Sequence, residues 1–220
     1  MSEANARQAA LAGIAGPALW VGAIVVAALL EADRLDGRPA GPGLRDGYSH
    51  VYSFVSELAA VGSDGRVVMV VGFIGFGVCT VVLAGAMRRL WPTATLLTAV
   101  VALSGVGLIG AGSFTCDAGC PTEGDLSLAQ EVHNITSVVT FPAWMACAAI
   151  AAWQLRDRLY GRLSLVLAVV EVGSGLVLGT WRDREADDPV GLLQRVNLAA
   201  VCAWFVLTAL EVRRRPAPGR

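Results

Sequence analysis

Polarity alternates along this chain on a single scale, with long apolar runs separated by short polar breaks. Six runs, at roughly 9–30, 67–87, 93–114, 132–154, 160–181 and 190–211, each hold about the 20 apolar residues a helix needs to cross a bilayer. The pattern predicts an all-α fold: a polytopic membrane helix bundle of six transmembrane helices, one domain over 1–220. No small-residue cleavage motif closely follows the first run, which is therefore read as a retained span and not a signal peptide. Small residues recur within the spans: Gly13 and Gly16 in the first, Gly72, Gly75 and Gly77 in the second, Gly105, Gly107, Gly110 and Gly112 in the third. They predict close helix packing.

Two polar breaks carry patterns of their own. The break at 31–66 opens with Gly, Pro and charge and reads as irregular. Further on, Tyr48, Val51, Tyr52, Val55, Leu58 and Ala59 fall at three- and four-residue steps. That spacing predicts a short amphipathic helix over about 48–61, lying at the outer interface with its tyrosines at headgroup depth. The break 113–134, SFTCDAGCPTEGDLSLAQEVHN, is polar and acidic, holds two cysteines, and runs into His133 and Asn134 at the start of the fourth span.

Composition excludes an ordinary soluble domain: 55% of residues are hydrophobic, 16% are charged, and mean hydropathy is +0.60. The net charge of −1 conceals a segregation. Arg88, Arg89, Arg156, Arg158, Arg162, Arg213, Arg214, Arg215 and Arg220 follow the second, fourth and sixth spans, with Asp157 as the one acid among them. The breaks 31–66, 115–131 and 182–189 hold nearly all the acids. Because positive residues stay cytoplasmic, both termini are expected inside and the acidic breaks outside, in a cell (inner) membrane. The expected partners are membrane lipids and a lipid-like small molecule; the span-flanking arginines make no nucleic-acid patch.

On an oxidising outer side, Cys116 and Cys120 are expected to form a structural disulfide, their turn eased by Gly119. Asp117 and His133 could join them as metal ligands, but C-x-x-x-C is not the usual zinc spacing and exposed thiols oxidise first. No metal or cofactor is expected. Ionisable groups inside spans cost roughly 2.5–3.5 kcal/mol at the helix centre, so they pair or mark sites. Glu57, Asp117, His133 and Arg195 are expected near the outer boundary, and Glu171 near the midplane without an evident partner. Glu57 and Arg195 are expected as neighbours in a two-point contact, either a structural clamp or the floor of an outward-facing pocket. The binding set would then be Glu57, His133, Asn134, Arg195 and Glu171. Catalytic candidates are His133, histidine being the usual acid/base side chain, Glu57 and Asp117.

Ser56-Glu57-Leu58, Asp117, His133 and Gly191 with Gln194-Arg195, set within about 45–212, resemble the domain of unknown function 998 family. That resemblance implies a six-span membrane topology and supplies no activity. No GxSxG, HExxH, P-loop or Rossmann fingerprint is present. The sequence therefore points first to binding or handling of a lipid or small amphiphile in an outward-facing polar pocket. An integral membrane enzyme using acid/base chemistry on a lipid-like substrate is the alternative. A transporter or accessory subunit comes third, since no inverted repeat is visible.

Overall fold

A computed structural model describes residues 2–32, 48–121, 123–180 and 188–215. The irregular stretch expected after residue 32, the acids at 183–187 and Arg220 lie outside the described residues.

Six helical spans among them are long and apolar enough to cross a membrane. The first is made of α1 (Glu3–Ala9) and α2 (Ala12–Ala32). The others are α3 (Arg66–Leu90), α4 (Thr95–Ser113), α5 (Leu128–Gln154), α6 (Leu159–Thr180) and α7 (Val190–Arg214). At 25 residues, α3 is about 37 Å long, enough for a hydrocarbon layer of about 30 Å. Helices consecutive in sequence pack side by side, and α7 returns to α2 to close the ring.

The distribution of residue sizes is what lipid demands. Ala23, Ala27, Ala84, Ala86, Ala148, Ala151 and Ala209 are buried, whereas Leu29, Val67, Val138, Leu159 and Leu176 are 64–74% exposed. Hydrocarbon tails are as apolar as leucine, so helices associate through close backbone approach and large side chains face outward. Gly77 and Gly105 show the approach: a Cβ on either would lie within 2.7–2.8 Å of the other's carbonyl oxygen. Aromatic rings fill the middle of the bundle. Trp20 stands with its centroid 5.2 Å from Phe76 and 6.0 Å from Trp144, and Phe76 meets Phe205 edge-on at 5.2 Å. Such pairs add about 0.5–1.5 kcal/mol each beyond area burial.

The two ends differ in charge and construction. At the basic end, Arg7 donates to the backbone carbonyls of Arg213 and Arg215, so the first and last spans begin and finish together. Arg215 lies 3.5 Å over the Trp91 ring and pairs with Glu211 at 2.8 Å. At the opposite end the polar breaks are sewn to one another. The amide of Val61 donates to the Cys116 carbonyl, Leu192 to the Val51 carbonyl, and the Arg66 guanidinium to Thr115, each at 2.9 Å.

The short helix expected over about 48–61 is shorter than the spacing predicts. Residues 48–54 form turns and extended backbone, and only Val55–Ala59 coil, as a single 3-10 turn. Its start is fixed by a capping contact from within and by a side chain of α7. Phe54 N–H is bound by Glu57 at 2.9 Å and Val55 N–H by the Gln194 side chain at 2.7 Å. The apolar periodicity reflects insertion, not an interfacial face: Val55, Leu58, Ala59 and Ala60 are all at most 4% exposed.

Candidate functional site

Below the sewn loops, in the half of the bundle at the acidic end, lies a cavity of about 430 Å³. Its floor is aromatic, made by Trp20 of α2, Phe73 of α3 and Trp144 of α5. Its roof is the 54–56 segment together with Cys120. Polar groups gather toward the loops: Gln130, His133 and Asn134 from the first turns of α5, and Gln194 from the first turns of α7. Val138, Phe141, Pro142 and Met145 of α5 and Gly175, Leu178 and Gly179 of α6 form the side. Val138, Pro142 and Gly179 are also exposed on the outside of the bundle, so the cavity reaches the lipid-facing surface along the α5–α6 seam.

Each polar lining group is oriented by the loops it supports. His133 is 5% exposed, and its Nδ1 lies 3.1 Å from the Ala111 carbonyl and 2.9 Å from that of Phe114. Only a protonated Nδ1 can bond two carbonyls, which fixes a proton on that nitrogen. The same contacts satisfy carbonyls at the end of α4 that have no helical partner. Gln130 accepts from the Asp117 amide at 2.7 Å and donates to Asn134 at 2.8 Å. Gln194, by holding the Val55 amide, fixes the roof over the cavity.

Of the residues expected at the site, His133 and Asn134 line the cavity; Glu57, Asp117, Arg195 and Glu171 do not. Asp117 stands outside, accepting from the Ser127 hydroxyl at 2.7 Å and the Ser127 amide at 3.0 Å, which hold its carboxyl below the usual carboxylate range. It helps anchor the start of α5, where Ser127 is the cap. The disulfide between Cys116 and Cys120 is present, with Cα atoms 5.0 Å apart. Its turn is closed by left-handed backbone at Gly119 (φ 78°) and Cys120 (φ 48°), the former natural for glycine.

Arg195 and Glu57 belong to one cluster, organised around Tyr48. The Arg195 guanidinium donates to the Ser53 carbonyl at 3.1 Å, the Gly191 carbonyl at 2.8 Å and the Tyr48 hydroxyl. Burial pushes the Tyr48 hydroxyl up to about 12; Arg195 opposes that shift and Glu57 adds to it. The two-point contact expected between Glu57 and Arg195 gives way to carbonyls and a phenol as the guanidinium's anchors, while Glu57 Oε1 takes the Phe54 amide. Gly191 permits the arrangement, since a Cβ there would lie 2.9 Å from the His50 carbonyl and from Arg195 itself.

Glu171 lies elsewhere. It is 1% exposed, and among the described residues neither carboxyl oxygen has a hydrogen-bond partner. Its backbone carbonyl accepts from Asn197 of α7 at 2.8 Å, and the same amide donates to Ser174 at 2.9 Å. Sequence reasoning missed Gln130, Gln194, Ser137 and Thr140 as lining residues. Their one signal was a neutral polar side chain near the outer end of an apolar run.

No curated protein and no solved structure matches the chain. One family model does, across residues 40–211. With most of the chain covered by that match, the protein belongs to the family described as protein of unknown function, DUF998.

Proposed function

We propose that this protein binds a lipid or small amphiphile in the cavity between α5 and α6, taking it laterally from the outer leaflet. The carrying observation is the cavity's two-part lining. An aromatic and aliphatic interior reaches the lipid-facing surface, and amide and imidazole groups cluster at the loop end. A tail lies against the first while a headgroup bonds the second. The volume of about 430 Å³ is within the roughly 300–1,000 Å³ usual for small-molecule sites. Acid/base catalysis is less well supported, because His133 reaches the cavity without Glu57 or Asp117.

We place the basic end in the cytoplasm and the acidic end outside, in the plasma membrane, following the arginine asymmetry and the disulfide's preference for an oxidising compartment. In intact cells an impermeant maleimide should label Glu123→Cys and spare Arg156→Cys until the membrane is opened. The opposite pattern would invert the topology.

Binding is tested with a diazirine-bearing fatty acid photolysed on protein in nanodiscs. Adducts should concentrate on cavity residues such as Ser137 and Leu178, fall on addition of unlabelled lipid, and disappear in Ser137→Phe, which fills the space. Labelling spread evenly over outward residues such as Val67 and Leu159, with no competition, would refute the reading.

A further inference from the structure

We propose that Glu171 is a proton-exchange site whose access is controlled by occupancy of the cavity. The coupling rests on the amphiphile reading; the proton site itself does not.

The site stands on position, surroundings and neighbourhood. Glu171 is nine residues from the outer end of α6 at Thr180, which puts it about 14 Å along the helix, near the midplane. Both oxygens are buried and unpartnered among the described residues. Among the described residues, the titratable side chains that sense it are Cys147 from α5 and Cys202 from α7, which are thiols and supply no positive charge. Among the described residues no cation pairs with it, so an ionised carboxylate buried there loses its hydration without compensation, and ionisable groups kept at this depth characteristically serve ion pathways. A proton is the one ligand that removes the charge without needing space.

A path to the outside runs through the cavity. Gly175, one turn above Glu171, is part of the cavity side, and the Met145 thioether methyl fills the notch left by its missing Cβ. Ser174 and Asn197 form a polar step at that level. Asn197 lies between Gln194 and Leu198, both cavity residues. Displacement of the flexible Met145 side chain would bring cavity water to the carboxyl. The carboxyl O–H then gives its proton to water, and the same route returns it. An amphiphile tail packed on Met145 closes that route, so a loaded cavity keeps the proton on Glu171 and an empty one lets it exchange.

The experiment uses the full chain in nanodiscs and dicyclohexylcarbodiimide, an apolar reagent that adds to the protonated carboxyl and leaves a stable acylurea. Peptide mapping should find one adduct, on Glu171. A water-soluble carbodiimide should leave Glu171 unmodified, and Glu171→Gln should lose the adduct. Because the adduct is mapped on wild-type protein, the conclusion survives a variant that fails to fold. Glu171 left unmodified while Glu131 reacts, or equal reaction with both carbodiimides, would overturn the proton site. Oleate supplied in excess over the nanodisc lipid before the apolar reagent should raise occupancy and lower the Glu171 adduct, because a tail packed on Met145 blocks the reagent's path to the carboxyl. Unchanged labelling in oleate would overturn the coupling and leave the proton site standing. A failed photolabelling experiment with a positive carbodiimide result would instead remove the amphiphile reading and the coupling that rests on it, and leave the proton site standing.

Discussion

Arg195 and Glu171 sit on adjacent helices, and both are charged residue types inside apolar runs, yet the bundle treats them in opposite ways. Arg195 is half-buried in the first turns of α7, where three oxygens from two chain segments receive its guanidinium. Glu171 lies at mid-depth with both oxygens unpartnered among the described residues. Depth explains the contrast. Near the interface the chain can spend a loop on a cation, because backbone carbonyls are available there. At the midplane every helical N–H is already used within its own helix, so a carboxylate finds no backbone donor. A shallow charge thus becomes part of the architecture, and a deep one is retained at a cost that packing does not return.

The largest expected effect comes from breaking the shallow cluster. Arg195→Gln should destabilise the protein by about 3 kcal/mol, since bonds to a charged donor contribute roughly 1.5–3 kcal/mol each and do not add fully. Thermal unfolding in detergent reads this out. Combined with Tyr48→Phe, the loss should be less than the sum of the two single losses. Additive losses would mean that the hydroxyl and guanidinium do not act as one unit.

Alkaline titration sharpens the same point. The Tyr48 hydroxyl ionises near 10 in the unfolded chain and is pushed up to about 12 in the folded one. Between those values the unfolded chain gives up its proton first. The Tyr48 contribution to stability should therefore be constant below pH 10 and fall by about 1.4 kcal/mol per pH unit up to about 12. Tyr48→Phe should lower the alkaline slope by that amount; an unchanged slope would place the titrating group elsewhere.

The smallest effect is expected at the deep site. Glu171→Gln exchanges one unpartnered polar group for another of the same shape, and stability should change by no more than about 1 kcal/mol. A loss as large as that of Arg195→Gln would make Glu171 a structural element and end the contrast.

The spans were legible from the sequence because apolar length and arginine segregation are both dictated by lipid, whatever the tertiary detail. Glu171 was legible for the same reason, as a single acid in an apolar run. The segment 48–61 was legible only in part. Its three-and-four spacing arises equally from a helix face and from a loop whose apolar residues are threaded into the bundle. What decides is Gln194, 139 residues beyond Val55, which takes the Val55 amide and fixes where the short turn starts. Arg195 was expected to seek an opposite charge, but the carbonyl of its own preceding turn and that of Ser53 were nearer. The amides lining the cavity carry no charge to draw notice, and no pattern in sequence reports that Gln130 and Gln194 converge.

Cryo-electron microscopy of the protein in lipid nanodiscs tests the central claim most directly, because it reads the cavity itself. The account predicts elongated density between α5 and α6, entering beside Val138 and Gly179 and ending against Gln130, His133 and Gln194. A closed α5–α6 seam, with annular lipid outside it and nothing but water-sized density within, would contradict it.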